Sequence, residues 1–145
     1  MNELYDAAIN AEADGSINSW LISYLRNSGR NSILAAGLKQ DGTYHTGFIN
    51  YELSKLKLLL GPDQSFRYYE DPLKFNTKVD AMVDSIKDGW RPVPLIATDL
   101  WNQDLELSDG AHRAVALIKA GIKTYPTIFY FKNQKLLDNF MSEQS

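Results

Sequence analysis

The chain contains no cysteine. That absence excludes a disulfide scaffold, a cysteine-ligated zinc site and a thiol nucleophile. No apolar run approaches the roughly 18 residues of a membrane-spanning helix. The first fifteen residues, MNELYDAAINAEADG, are acidic and periodic, unlike the basic start and apolar core of a secretory leader. A cytoplasmic protein is the expectation. The sequence lacks a Gly-x-x-x-x-Gly-Lys-Ser/Thr phosphate loop, a Gly-x-Gly-x-x-Gly turn and a His-Glu-x-x-His pair. It also lacks a basic excess: 15 Lys and Arg face 18 Asp and Glu, for a net charge of −3. That balance argues against DNA as the main partner but leaves room for a small basic pocket.

What is present is one domain's worth of ordinary globular sequence. The chain has 145 residues, 44% hydrophobic and 23% charged, a length that buries roughly 68–70% of the unfolded surface without a structural metal. Residues 1–75 read as a mainly helical extension packed on an α/β core of residues 76–145. A helix is expected over Asn2–Ala13, stopped by Asp14-Gly15. A second carries Ile17, Trp20, Leu21, Tyr24 and Leu25 on one face and ends at Asn27-Ser28-Gly29. Residues 31–46 stay ambiguous. A third helix is expected over about 50–60, from the spacing of Leu53, Leu56 and Leu60 before Gly61-Pro62.

Ser65–Tyr69 suits a short strand. Thr77, with Asp80 three residues on, has the spacing of a capping box for a fourth helix. Beyond it come two strands, near Val93–Thr98 and Leu105–Ser108. A helix follows with Ala111, Ala114, Val115 and Ile118 on its apolar face, then a β-branched and aromatic strand over Thr124–Phe131 and a closing amphipathic helix. The order helix, strand, strand, helix, strand, helix suits an α+β fold: a small mixed sheet with packed helices.

The stretch Leu105-Glu106-Leu107-Ser108-Asp109-Gly110-Ala111-His112-Arg113-Ala114 carries the chemistry. A strand ends, a glycine turns the chain, and a helix begins with His and Arg in its first turn. Helix N-termini present unpaired N–H groups and a positive partial charge. Cations there are unfavourable by a few tenths to about 1 kcal/mol, a conflict that a bound anion such as phosphate removes. A plainer reading stays open: Asp109 caps the helix, Gly110 only turns the chain, Arg113 pairs with a carboxylate and His112 is a satisfied edge histidine.

Four ordered blocks surround this turn: Lys78–Gly89, Pro92–Ile96, Asp109–Ala114 and Ala120–Ile128. Together they resemble the ParB/sulfiredoxin superfamily, and in particular its ParB-like N-terminal (ParB-like nuclease) domain, over about residues 76–131. The resemblance implies that fold and a nucleotide-phosphate site on Gly110, Ala111, His112 and Arg113. It implies catalytic roles for Asp109 and His112, Asp109 as a metal-placing or reacting group. ATP or another nucleotide with Mg²⁺ is the implied ligand, and a small-molecule phosphate acceptor the implied partner.

The departures narrow this. Sulfiredoxins carry a cysteine where this chain has Ala111, so sulfinic-acid repair is excluded. Partitioning ParB proteins carry a helix-turn-helix after this domain, which the residues following Phe131 are not expected to supply. The His112-Arg113 pair is closer to the kinase and sulfiredoxin branches, which favours a phosphotransferase or nucleotide hydrolase. A non-enzymatic regulatory or binding module using the same pocket, or a ParB-like nuclease, are the competing readings. Discrimination rests on whether a carboxylate other than Asp109 approaches His112 and Arg113. Glu70, Asp71 and Glu52 are candidates for a general base or Mg²⁺ ligand, Arg67 and Arg91 for extending a phosphate site, with Arg91 otherwise stacking on Trp90. His45 reads as an exposed loop residue.

Overall fold

A computed structural model describes residues 1–101 and 103–144. The helices are α1 (Glu3–Asp14), α2 (Ile17–Arg26), α3 (Ser32–Asp41), α4 (Pro72–Lys87), α5 (Ala111–Lys119) and α6 (Gln134–Glu143). The strands are β1 (Tyr44–His45), β2 (Ile49–Glu52), β3 (Leu60–Gly61), β4 (Tyr68–Tyr69), β5 (Leu95–Thr98), β6 (Glu106–Asp109) and β7 (Thr124–Phe131). The fold is α+β with a small mixed sheet, and the C-terminal half follows the expected order of elements.

β7 organises the main sheet. On one side it pairs antiparallel with β1 and β2, which follow one another along the same edge. On the other it pairs in parallel with β5, and β5 pairs antiparallel with β6. Alternation along β5 and β7 sends side chains to two opposite cores. Ile96, Ile128 and Tyr130 pack with Leu21, Leu25, Leu34 and Leu38 of the N-terminal helices. Leu95, Leu107 and Tyr125 pack with Ala114 and Leu117 of α5, while Ala97, Phe129 and Phe131 meet Phe140 of α6. Helix α4 covers the outside of α5 through Phe75, Val79, Val83 and Ala116.

Residues 50–60 are not a helix. Ile49–Glu52 pair with Thr124–Thr127 of β7, and a single 3-10 turn, Leu53–Lys55, follows. The leucine spacing is satisfied differently: the tight turn sends Leu53 and Leu56 to the core while the backbone of β2 completes the sheet. Tertiary pairing here overrides local periodicity. The ambiguous stretch 31–46 resolves into α3 and β1, and the strand expected over Ser65–Tyr69 is confined to Tyr68–Tyr69.

Helix α4 begins five residues before the expected Thr77. Asp71 accepts the Lys74 N–H at 3.2 Å, and Pro72 occupies the first helical position, where its missing N–H costs nothing. Arg91 lies over the Tyr5 ring, 4.6 Å from its centroid, so its stacking partner is Tyr5 and not Trp90. His45 is half-buried, its Nδ1 2.7 Å from the Thr46 carbonyl and its ring against Tyr130.

Leu21 is fully buried between α2 and the sheet, whereas Ile33 is 87% exposed. Leu21→Ala is expected to lower stability by about 2–5 kcal/mol and Ile33→Ala by no more than about 0.5 kcal/mol, as measured by denaturant unfolding. Equal losses would contradict the packing of α2 on the sheet.

Candidate functional site

The junction from β6 to α5 forms the wall of a cleft of about 270 Å³, lined by residues 108–113 and by Gly29, Asn31, Leu60, Met82 and Leu107. Asp109, Gly110, Ala111, His112 and Arg113, singled out from the sequence, therefore all face one cavity. Gly110 has φ +112, in the left-handed region. A Cβ there would lie 2.6 Å from the Leu95 side chain and 2.9 Å from the Arg113 guanidinium. Only glycine combines that dihedral with that approach.

Asp109 does not cap α5. Gly110 occupies the cap position, and no side chain supplies a cap hydrogen bond. The first helical bond runs from Ala114 N–H to the Gly110 carbonyl at 2.8 Å, so the N–H groups of residues 111–113 precede the helical ladder. The Asp109 carboxylate instead accepts from Arg113 Nη2 at 3.0 Å and from Asn31 Nδ2 at 3.3 Å. Arg113 thus pairs with a carboxylate four residues earlier, at the end of β6. Both side chains are largely buried, and the Arg113 Nε has no hydrogen-bond partner among the described residues. The guanidinium is anchored at one corner and still has donor capacity.

His112 has a carboxylate partner other than Asp109. Its Nε2 lies 2.7 Å from Glu70 Oε1, and the second Glu70 oxygen accepts from Lys78 Nζ at 3.1 Å. Phe75 packs against the imidazole, ring centroids 4.9 Å apart. The His112 hydrogen bond holds the Glu70 carboxyl below the ordinary glutamate range; partial burial pushes the other way, and Lys78 adds to the lowering. A carboxylate at Nε2 favours the tautomer protonated there, leaving Nδ1 to exchange a proton with a substrate. Glu70 thus suits orienting and polarising His112 better than acting as the base itself, because a lowered pKa makes it a weak proton acceptor.

No family model matches the chain, and no curated protein matches it. Among solved structures, a free serine kinase in complex with AMP is similar over 57% of this chain and 30% of that one, with 21% sequence identity and a TM-score of 0.41.

The remaining candidates divide. Glu70 is in the site, whereas Glu52 pairs with Lys55 at 3.5 Å on the surface and Asp71 caps α4. Arg67 makes a two-pronged pair with Glu106. Arg91 borders a different cleft, with Tyr5 and Tyr125. Asn31 was not anticipated. Its position before an apolar helix marks it as the cap of α3, accepting from Leu34 N–H at 3.3 Å, but nothing local foretells that its amide reaches Asp109. Tyr24 was read only as a core residue. Burial raises its phenol pKa, and its titration also feels Arg113 and Asp109. Among the described residues no group of three or more His, Asp or Glu side chains is placed to hold a metal ion. Asp109 and Glu70 are each paired with a cationic side chain, Arg113 and Lys78.

Because the folded Glu70 pKa is depressed, the His112–Glu70 pair contributes fully to folding above the ordinary glutamate value of about 4.3. That contribution fades as pH falls through the lower folded value. A carboxyl-carbon NMR titration should find the Glu70 midpoint below the ordinary range, and His112→Asn should move it upward. Identical midpoints in the two proteins would contradict the contact.

Proposed function

We propose that the turn from Asp109 to Arg113 binds the phosphates of a nucleotide, and that the protein transfers or hydrolyses the terminal phosphate as a ParB/sulfiredoxin-like domain. The reading rests on one observation: the start of α5 opens on a cleft with no side-chain cap and two cationic or ionisable side chains in its first turn. Gly110 lets a phosphate approach the backbone. The N–H groups of residues 111–113 and the helix dipole favour its charge. Arg113 supplies directional donors from a guanidinium that Asp109 keeps in place.

Phosphoryl transfer asks mainly for positioning and charge stabilisation, and the helix terminus with Arg113 offers both without reorganising. His112, oriented by Glu70, takes the proton of the incoming hydroxyl or water. The acceptor is then a small hydroxyl-bearing molecule, or water if the reaction is hydrolysis. Mg²⁺ bound with the nucleotide would supply charge neutralisation of the phosphates. The Glu70 contact favours catalysis over a binding module alone, since a pure phosphate sensor has no need of a carboxylate behind its histidine.

Calorimetric titration with ATP, ADP and CTP in the presence of Mg²⁺ tests the reading. Arg113→Ala is expected to weaken binding by about 10- to 100-fold, the value of a charge-assisted hydrogen bond of about 1.5–3 kcal/mol. Arg113→Lys, which keeps a charge beside Asp109, should recover part of it. Glu70→Gln should leave affinity within about threefold yet slow phosphate transfer or release by about 100-fold or more. Nucleotide affinity indifferent to Arg113→Ala would remove the phosphate assignment.

A further inference from the structure

Glu106 is 1% exposed, yet it bears a carboxyl group and belongs to the strand that ends in the site. Its two carboxylate oxygens accept from Arg67, Nη1 to Oε2 and Nη2 to Oε1, each at 3.1 Å. Lys57 Nζ stands 3.4 Å from Oε1 and 3.1 Å from Asp104. Arg67 lies three residues before Glu70, and Glu106 lies three residues before Asp109. The segment bearing Arg67 and Glu70 is therefore joined to the β6–α5 junction at two points: Arg67 to Glu106, and Glu70 to His112.

Lys78 of α4 also holds Glu70, at 3.1 Å, but the segment's own backbone pairing is short. The segment passes through β3, loops round over residues 62–67 and runs parallel beside β3 as β4. That pairing is two residues long, supported by Tyr68 N–H to the Leu59 carbonyl at 2.9 Å and Glu70 N–H to the Gly61 carbonyl at 3.0 Å. Isolated two-stranded pairings are marginal in water, and Tyr68 and Tyr69 are largely exposed and bury little. Three residues of chain span at most about 10 Å, so fixing Arg67 tightly limits where Glu70 can lie. Only the Glu106 end of the pair is buried, the Arg67 side chain being 45% exposed, and an ion pair with a buried end is poor evidence of stabilisation. What a planar fork on a carboxylate supplies is direction and register.

We infer that Arg67 and Glu106 are positioning residues, a clamp that holds the segment 59–70 in the register that puts Glu70 on His112. The catalytic value of the clamp rests on the reading of the 109–113 site given above; its geometry does not.

Arg67→Ala alone leaves the Glu106 carboxylate buried with its main partner gone, and the fold itself is at risk. The informative variant is therefore Arg67→Met with Glu106→Gln, which removes both charges at similar volume. In this double variant the Glu70 carboxyl, which faces His112 and Lys78, should titrate closer to the ordinary glutamate range than in the wild type. The amide protons of Tyr68 and Glu70 should exchange at least about tenfold faster. Unchanged Glu70 titration and unchanged exchange in the folded double variant would overturn the clamp. Wild-type protein gives a second decision that needs no variant: Arg67 guanidinium protons held in a fork give separate, slowly exchanging NMR signals, and a single averaged signal would overturn the proposal. Neither measurement involves a nucleotide. A failure of the phosphate reading, seen with Arg113→Ala, is thus distinguishable from a failure of the clamp. Where transfer is observed, the double variant should lower turnover while nucleotide affinity stays within about threefold; an equal loss in both would contradict a positioning role.

Discussion

The hydrogen bonding of β7 is the constraint on which the other parts depend. This strand is eight residues long and pairs along both edges, with β1 and β2 on one side and β5 on the other. Its alternate side chains form the floors of the core beneath the N-terminal helices and of the cores beneath α5 and α6. β5 fixes β6 in turn, and the end of β6 sets where α5 begins. The direction of the α5 N-terminus, and with it the cleft, follows from the register of a strand that contributes no side chain to that cleft.

Local rules made the C-terminal half readable. The Asp109-Gly110 step, the apolar stripe of α5 and the aromatic run of β7 each agree with their neighbours, and such consistency makes local reading dependable. The rules failed where a long-range partner decided the outcome. Leu53, Leu56 and Leu60 have helical spacing, but β7 had an open edge and took Ile49–Glu52 as a strand. At α4 the start read at Thr77 falls inside the helix, because Asp71 caps it and Pro72 takes its first position.

The site divides along the same line. Its contiguous part, residues 109–113, was legible because a strand, a glycine and a cationic first turn lie side by side in sequence. Its distant part was not. Glu70 stood out only as one carboxylate among several, and Asn31 lay at the start of a stretch whose structure the sequence left open. Their contacts with His112 and Asp109 span 42 and 78 residues, and no spacing rule reaches that far. Asp109, which the sequence allowed as a cap, illustrates the competition: its carboxylate pairs with the guanidinium four residues on, and the helix start has no side-chain cap.

The way the chain runs past β6 has a further consequence. β6 pairs with β5 on one side only, and its outer flank would otherwise present unpaired backbone groups to solvent. The Leu107 N–H is instead taken by the Lys57 carbonyl at 2.8 Å, and Leu58 makes a bridge to Leu107. Exposed sheet edges recruit strands from other molecules, and natural proteins cover or charge them. Here the cover is the base of the same segment that delivers Glu70, flanked by Lys57. Loosening that segment would therefore uncover a strand edge as well as disturb the site, so loss of function there would be accompanied by self-association.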